Sequence, residues 1–542
     1  MEPVDRRAFL FGSIAALAAA ACTSSKASTA AGAAASTSTT APTSTTAPTS
    51  TTAPTSTVAP TTADVPVVGF TTDPFSCGVA SGDPRHDRVV LWTRLDGAGA
   101  PAGAKSDRTA PVAWQVATDE AFGTVVAQGT ATASYEDGFS VHVDATGLRP
   151  DTRYWYRFRV DAFEARGRTR TAPAAGQRVD TLRFGFGSCQ DFQGGFYAAH
   201  RDVAASGLDL FVWLGDYIYE YAAVPGAPRQ HTGGACTTLE DYRARYALYR
   251  HDPDLRAAHA ACPWLVIWDD HEVQNNYAGD RSEDAALGPE AFLARRALAY
   301  RAWWEFMPTR LPRPTGSDLK IYRELSWGSL ANVFLLDGRQ YRSDQACNDA
   351  ILSSQPPCAD WATPERTMLG TEQERWLLDG LGASTATWNI LGNQVVMGDA
   401  RLNGAVLNYD QWDGYPAARQ RLLGGIAASG KRNVVVVTGD IHLAAVADLR
   451  ADGASTTVAT ELVGTSISSG ALLPAALEGA LALFPALKYL NVRQRGWVRN
   501  VVTADRWTAE YRVVVDVARS DAAVSTDATF TIAANTPGAV RA

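Results

Sequence analysis

The sequence has no surplus of positive charge. Its 49 Lys and Arg stand against 57 Asp and Glu, a net charge of −8. With no basic stripe to neutralise a phosphate backbone, nucleic-acid binding as a main role is excluded. A membrane-length apolar run is missing from the amino end as well. Residues 8–21 are apolar but fall short of the roughly 20 residues a spanning helix needs, so they read as the core of a signal peptide. No Gly-x-Ser-x-Gly elbow occurs; Gly464-Thr465-Ser466-Ile467-Ser468 and Gly187-Ser188 come nearest, and no triad order emerges. A serine hydrolase is therefore the weaker enzyme reading. Cysteines are few, seven in 542 residues: Cys22, Cys77, Cys189, Cys236, Cys262, Cys347 and Cys358. In an exported chain some of these pair. Cys347 and Cys358 bracket a proline-containing loop and make the first choice; Cys236 with Cys262 is the second.

What is present divides the chain into four parts. Arg6-Arg7-Ala8-Phe9-Leu10 before the apolar run resembles a twin-arginine signal, with the twin-arginine export machinery as its partner. Small residues before Cys22 resemble a lipoprotein cleavage site, which would leave Cys22 as a lipid-bearing membrane anchor; ordinary cleavage beside an incidental Cys is the alternative. Residues 1–22 are thus the signal peptide. Residues 23–64 are almost wholly Ser, Thr, Ala and Pro, have no apolar face to bury, and read as an extended tether. Residues 65–176 hold short strands with apolar residues at alternate positions, among them 89–94, 112–116 and 140–144. Leu148 to Phe158 resembles the corner and following strand of a fibronectin type III or immunoglobulin-like sandwich. Asp83, His86 and Asp87 in this region read as a solvated loop. From 177 to 542, apolar strand-like runs alternate with helical stretches at 239–261 and 289–306, which argues for an α/β layered catalytic domain.

Several of these apolar runs stop at metal-ligand residues. Residues 208–214 lead into Gly215-Asp216-Tyr217-Ile218-Tyr219, and 264–268 into Asp269-Asp270-His271-Glu272. Residues 434–437 lead into Gly439-Asp440-Ile441-His442, 184–187 into Ser188-Cys189-Gln190, and Leu391-Gly392 into Asn393. Open α/β sheets bind what they act on at the carboxyl ends of their strands. Asp and His are seldom buried unpaired, so five such ends in one domain predict a metal centre.

In this order, Ser-Cys-Gln, Gly-Asp-x-x-Tyr, Asp-Asp-His-Glu-x-x-x-Asn, Gly-Asn-Gln and Gly-Asp-x-His resemble the PhoD-type alkaline phosphatases and phosphodiesterases. These are calcineurin-like metallophosphoesterases related to purple acid phosphatases, with phospholipase D-like members. Gly78-Val79-Ala80-Ser81-Gly82-Asp83-Pro84, Tyr242-Arg243-x-Arg245-Tyr246 and Asp337-Gly338-Arg339-Gln340-Tyr341-Arg342-Ser343 extend the likeness over about residues 75–507. The resemblance implies an α/β fold: a metallophosphoesterase β-sandwich flanked by helices, preceded by a small all-β fibronectin- or immunoglobulin-like domain. It implies one Fe³⁺ with one or two Ca²⁺. Cys189, Tyr219 and His442 would complete the iron side, with Asp216 bridging and Cys189 accordingly reduced. Asp270, Asn393 and Asp440 would hold the second metal. Relative to the purple acid phosphatase pattern, Asp270 replaces an Asn, while Asn393 and Asp440 put oxygen where histidine nitrogens stand, the change a hard cation favours.

The implied reaction is hydrolysis of a phosphoester substrate, monoester or diester or both, at alkaline pH by two-metal activation of water. His271 is the candidate acid for the leaving alkoxide, or else a hydrogen-bonding support of a ligand. Asn276 and Arg339 are candidate phosphate contacts or supports of the ligands. Tyr409, Trp412 and Tyr415 are candidates to line a cleft for a second alcohol. A monomer is expected. A lipid diesterase of the same fold, and a surface-tethered binding protein without catalysis, are the alternatives.

Overall fold

The apolar runs that stop at candidate ligands are short parallel strands, buried throughout except at Arg183. Leu182–Gly187, Leu210–Trp213 and Trp264–Val266 pair in parallel. Ala331–Leu335, Trp388–Gly392, Val434–Thr438 and Ala459–Val463 do the same elsewhere. Strands covered on both faces need no polar alternation, which is why most of their residues are apolar. The first three lie within a ten-stranded mixed sheet, the other four within a seven-stranded one. One core binds the two layers, joining Phe184, Phe211 and Trp213 to Val333, Ile390 and Val437. The computed structural model describes residues 69–96, 108–350, 355–472, 478, 481 and 483–542. The expected signal peptide with Arg6, Arg7 and Cys22, and the tether, lie outside the described residues.

Helices cover the outer faces. The expected helix at 289–306 is Pro289–Phe306, with Pro at its first turn. The stretch 239–261 is two helices, Leu239–Arg250 and Pro253–Ala261, because Pro253 lacks the N–H that would continue the first, while Asp252 caps the second. Gly370–Ala383 and Pro416–Ala428 cover the seven-stranded sheet, where Leu377, Leu381, Leu422 and Ile426 pack on Phe334, Leu391 and Val436. Among the described residues no helix is long and apolar enough to cross a membrane.

The amino-terminal region is all β. Val79–Arg85, Arg88–Arg94 and Ser140–Thr146 face a four-stranded sheet of Thr109–Ala117, Val125–Ser134, Arg153–Val160 and Phe163–Arg170 across a core of Val89, Leu91, Val112, Val116, Tyr156 and Phe158. At the corner, the Tyr154 hydroxyl accepts the Arg149 N–H at 2.8 Å. The first layer of this sandwich is continuous with the ten-stranded sheet, since Val79–Arg85 pairs in parallel with Trp264–Val266.

Two expectations change here. His86 is exposed and Asp87 half-buried, but Asp83 is no solvated residue. Its buried carboxylate accepts from Arg323 Nε at 3.0 Å and Nη2 at 2.7 Å, Thr309 Oγ1 at 3.0 Å and the Arg310 N–H at 2.7 Å. It therefore ties the sandwich to the layer beyond it. Of the cysteine pairings, Cys347–Cys358 forms, with Cα atoms 5.5 Å apart. Cys236 and Cys262 are separate buried thiols, because spacing along the chain does not fix the Cα separation that a bond requires. Asp83→Ala leaves the Arg323 guanidinium without its main partner, and is expected to lower unfolding free energy by ~3 kcal/mol, read by denaturant titration.

Candidate metal centre

The carboxyl ends of strands from both sheets converge on one point. There the chain must leave each strand sharply, and the candidate ligands themselves make the turn. Cys189, Asp216, Asp440 and His442 have φ of 59°, 55°, 68° and 54°. Left-handed backbone is uncommon for residues with a Cβ and is found where surrounding structure enforces it. Two glycines make the convergence possible. A Cβ on Gly215 (φ 118°) would lie 2.4 Å from Asp269 Cβ, and one on Gly439 would lie 2.2 Å from Ser188 Oγ.

The donors fall into two overlapping groups. Ligand atoms of Cys189, Asp216 and His442 lie within 4.8 Å of one another. Tyr219 joins them, its hydroxyl 3.0 Å from Asp216 Oδ2 and 3.0 Å from His442 Nε2, and it receives Ser469 Oγ at 2.8 Å. His442 Nδ1 lies 2.7 Å from the Gly470 carbonyl, an acceptor only. The ring proton therefore sits on Nδ1, leaving the Nε2 lone pair toward Tyr219. On the other side, Asp269, Asp270 and Asp440 approach within the same 4.8 Å, and Asp216 forms a third such group with Asp270 and His271. Asp216 thus belongs to both sides. Asn393 is fully buried at its strand end, with its amide nitrogen on the Val395 carbonyl and its oxygen 3.4 Å from Trp412 Nε1. The neighbouring Gln411 donates to Asp440 Oδ2 at 2.6 Å.

This much buried acid is out of balance without added positive charge. Burial first, and neighbouring carboxylates after it, push the Asp216 and Asp440 carboxyls well above their ordinary range. Asp269 is pushed up to about 6, chiefly by burial. Burial and then Asp216 raise the Cys189 thiol and the Tyr219 phenol in the same way. Burial also acts on Asp270, but Arg339 and His271 outweigh it and hold that carboxyl below the usual range. Asp216 Oδ1 is buried with no hydrogen-bond partner. A bare carboxylate oxygen among thiol, phenol, imidazole and carboxylates is a donor set that fits cations, whose charge would restore the anionic forms.

The supporting residues come from distant parts of the chain. The Glu272 carboxylate accepts the backbone N–H groups of Asp216 (3.0 Å), Tyr217 (2.6 Å) and Asp269 (2.9 Å), locking two ligand loops together. Glu220 orients His271 through Nδ1 at 2.8 Å and accepts the Asn275 N–H at 2.9 Å. Arg339 is fully buried, paired with Asp269 and bidentate to Asp410 at 2.7 and 2.8 Å. Its guanidinium also lies 3.6 Å from Asp440 and 3.8 Å from Asp270, so it braces the carboxylates from behind. Asn276 donates its backbone N–H to Asp270 Oδ2 at 2.7 Å and its side-chain amide to Asp349 at 2.7 Å. Tyr409, Trp412 and Tyr415 are buried. Of the serines in the rival reading, Ser466 donates to the Ser469 carbonyl at 2.7 Å and Ser188 accepts the Cys189 thiol at 3.1 Å.

Glu272, Glu220 and Asp410 had no assigned role in the sequence. Glu272 stood beside the ligands in Asp-Asp-His-Glu, and that adjacency was its only signal. Gly215→Ala forces Asp216 and Asp269 apart and is expected to cost ~3 kcal/mol of stability. Bound metal per chain should fall with it, measured by elemental analysis of the purified variant.

Comparison with known proteins agrees with this geometry. Residues 184–511 match the PhoD-like phosphatase family, and residues 61–173 match the N-terminal domain of PhoD-like phosphatases. Alkaline phosphatase D of Bacillus subtilis (strain 168) is 43% identical over 477 residues, covering 85% of this chain and 81% of that protein. A solved structure of PhoD, also 43% identical, superposes with a TM-score of 0.82 over 87% of this chain and 93% of that one. With the likeness running through sandwich and catalytic layers alike, the chain belongs to the PhoD-like phosphatase family and is a phosphoester hydrolase.

Proposed function

We propose that the enzyme hydrolyses phosphate monoesters, diesters or both at alkaline pH, outside the cytoplasm, using Fe³⁺ and Ca²⁺. The observation that carries this reading is the asymmetry of donors about Asp216. Thiol, phenol and imidazole from Cys189, Tyr219 and His442 gather on one side. Deprotonated, the first two are anionic donors suited to a trivalent iron. The other side, with Asp270, Asp440 and Asn393, offers oxygen, as a hard cation such as Ca²⁺ prefers. Bound there, the two cations would supply charge for the phosphoryl oxygens and acidify the attacking water.

The chain's own residues provide the rest. Burial alone would strip the His271 ring of its proton, but Asp270, Glu220 and Asp216 hold it protonated well above the ordinary histidine range. With Nδ1 on Glu220, the proton on Nε2 is the one available to a leaving alkoxide. Tyr219 packs against the ring at 4.1 Å between centroids and restricts its rotation. Arg339 and Glu272 keep the ligand loops in register, so the site is organised before substrate arrives.

The twin-arginine-like signal, Cys22 and the tether support export and a lipid anchor on the outer face of the membrane. The Cys347–Cys358 disulfide suits an oxidising compartment. Twin-arginine export carries folded chains, so the metals would be loaded before translocation.

Exhaustive treatment with EDTA and an iron chelator is expected to abolish turnover of p-nitrophenyl phosphate and its bis-ester, with Fe³⁺ and Ca²⁺ restoring it; activity that survives rules the reading out. The loaded enzyme should carry a visible tyrosinate-to-iron band that Tyr219→Phe removes. Separately, His271→Gln should lower kcat ~100-fold or more on alkyl phosphate esters. The loss should be far smaller on p-nitrophenyl esters, whose phenolate departs unprotonated. Equal losses on both would deny His271 the acid role.

A further inference from the structure

The disulfide-bonded segment between Cys347 and Cys358 reaches the metal centre through Asp349. Asp349 Oδ2 accepts the Asn276 side-chain amide at 2.7 Å, and the Asn276 backbone N–H donates to Asp270 Oδ2 at 2.7 Å. Asn276 is itself in the left-handed region, with φ of 52°, so its orientation depends on what grips it. Gln345, just before the disulfide, donates to the Asn276 carbonyl at 2.9 Å and to Asp410 Oδ1 at 2.7 Å. Asp410 in turn grips Arg339. Gln345 and Asp349, on either side of Cys347, thus support both Asp270 and the guanidinium behind Asp269.

The backbone of this segment is unusual. Cys347, Asn348 and Asp349 have φ of 56°, 57° and 51°, three left-handed residues in succession. Residues with a Cβ visit that region singly, so such a run needs external restraint. The bond to Cys358 supplies it, together with Ala346, which packs with Val406 and Tyr409. Asp349 Oδ1 is shielded from solvent and has no hydrogen-bond partner. A shielded carboxylate oxygen without a partner opposes stability, which argues that Asp349 serves position rather than packing.

We propose that Asp349 is a positioning residue for the oxygen-rich side of the centre. Through Asn276 it fixes the oxygen that Asp270 presents, and the Cys347–Cys358 disulfide holds Asp349 in place. This rests on the calcium assignment made above. The test is Ca²⁺ uptake by equilibrium dialysis of the full-length, iron-loaded, calcium-depleted enzyme. Asp349→Ala is expected to raise the Ca²⁺ concentration for half-occupancy by about 10- to 100-fold. Asp349→Asn keeps an acceptor for Asn276 and should recover most of that loss. The double variant Cys347→Ser/Cys358→Ser should shift uptake in the same direction as Asp349→Ala. In Asp349→Ala, iron content and the thermal midpoint in saturating Ca²⁺ should remain those of the unaltered enzyme, whereas the double cysteine variant should keep its iron but melt lower, having lost a cross-link. An unchanged Ca²⁺ midpoint in Asp349→Ala overturns the positioning role alone. So does parallel loss of iron, calcium and thermal stability. No Ca²⁺ uptake by the unaltered enzyme overturns the calcium assignment and this role together.

Discussion

Three buried carboxylates, Asp216, Asp269 and Asp270, and the partly buried Asp440 are forced together at one point, and the rest of the structure follows from keeping them there. Like charges in a dry site repel strongly, since little solvent screens them. The protein answers with Arg339, sealed behind them, and with Glu272, which grips the backbone of two ligand loops instead of their side chains. One guanidinium and one imidazolium do not balance the set. The remainder of the compensation is left to cations, and Asp216, common to both sides, is where they would be shared.

That arrangement dictates the architecture around it. The candidate ligands arrive from two packed sheets, so the sheets must meet at one edge, and the chain must turn as soon as each strand ends. Left-handed backbone at Cys189, Asp216, Asp440 and His442 is the conformational cost of such early turns. The large shared core of Trp, Phe and Val makes the cost sustainable, because a closely packed interior does not yield to local strain. The amino-terminal sandwich extends the same sheet and is clamped to it by Asp83 and Arg323, so the centre rests on one continuous framework.

Legibility in the sequence followed contact range. Asp216, Asp270, Asp440 and His442, which the fold brings together, could be picked out as candidates because each lies within a few residues of the end of an apolar run, and position after a strand is a local property. The break at Asp252-Pro253 was local too, and the longer helical stretch at 239–261 simply ran across it. Asp83 was misread because its partner Arg323 is 240 residues away, and nothing near Asp83 announces a buried pair. Asp410, 71 residues from Arg339, and Glu220, 51 residues from His271, carried no local signal at all. Trp412 and Tyr415, offered as cleft residues, are packed in the core, since aromatic composition does not tell a cleft from an interior.

By itself the sequence determined the types of candidate ligand, their order, and their position at the ends of buried strands, because hydrophobic runs and adjacent Gly-Asp steps act over a few residues. Only the tertiary structure decided that Asp216 stands in both donor groups, that Arg339 faces carboxylates, and that His442 carries its proton on Nδ1. It also decided which two cysteines join. Those outcomes depend on Coulomb, hydrogen-bond and covalent contacts that act over a few ångströms in space, whatever the separation along the chain.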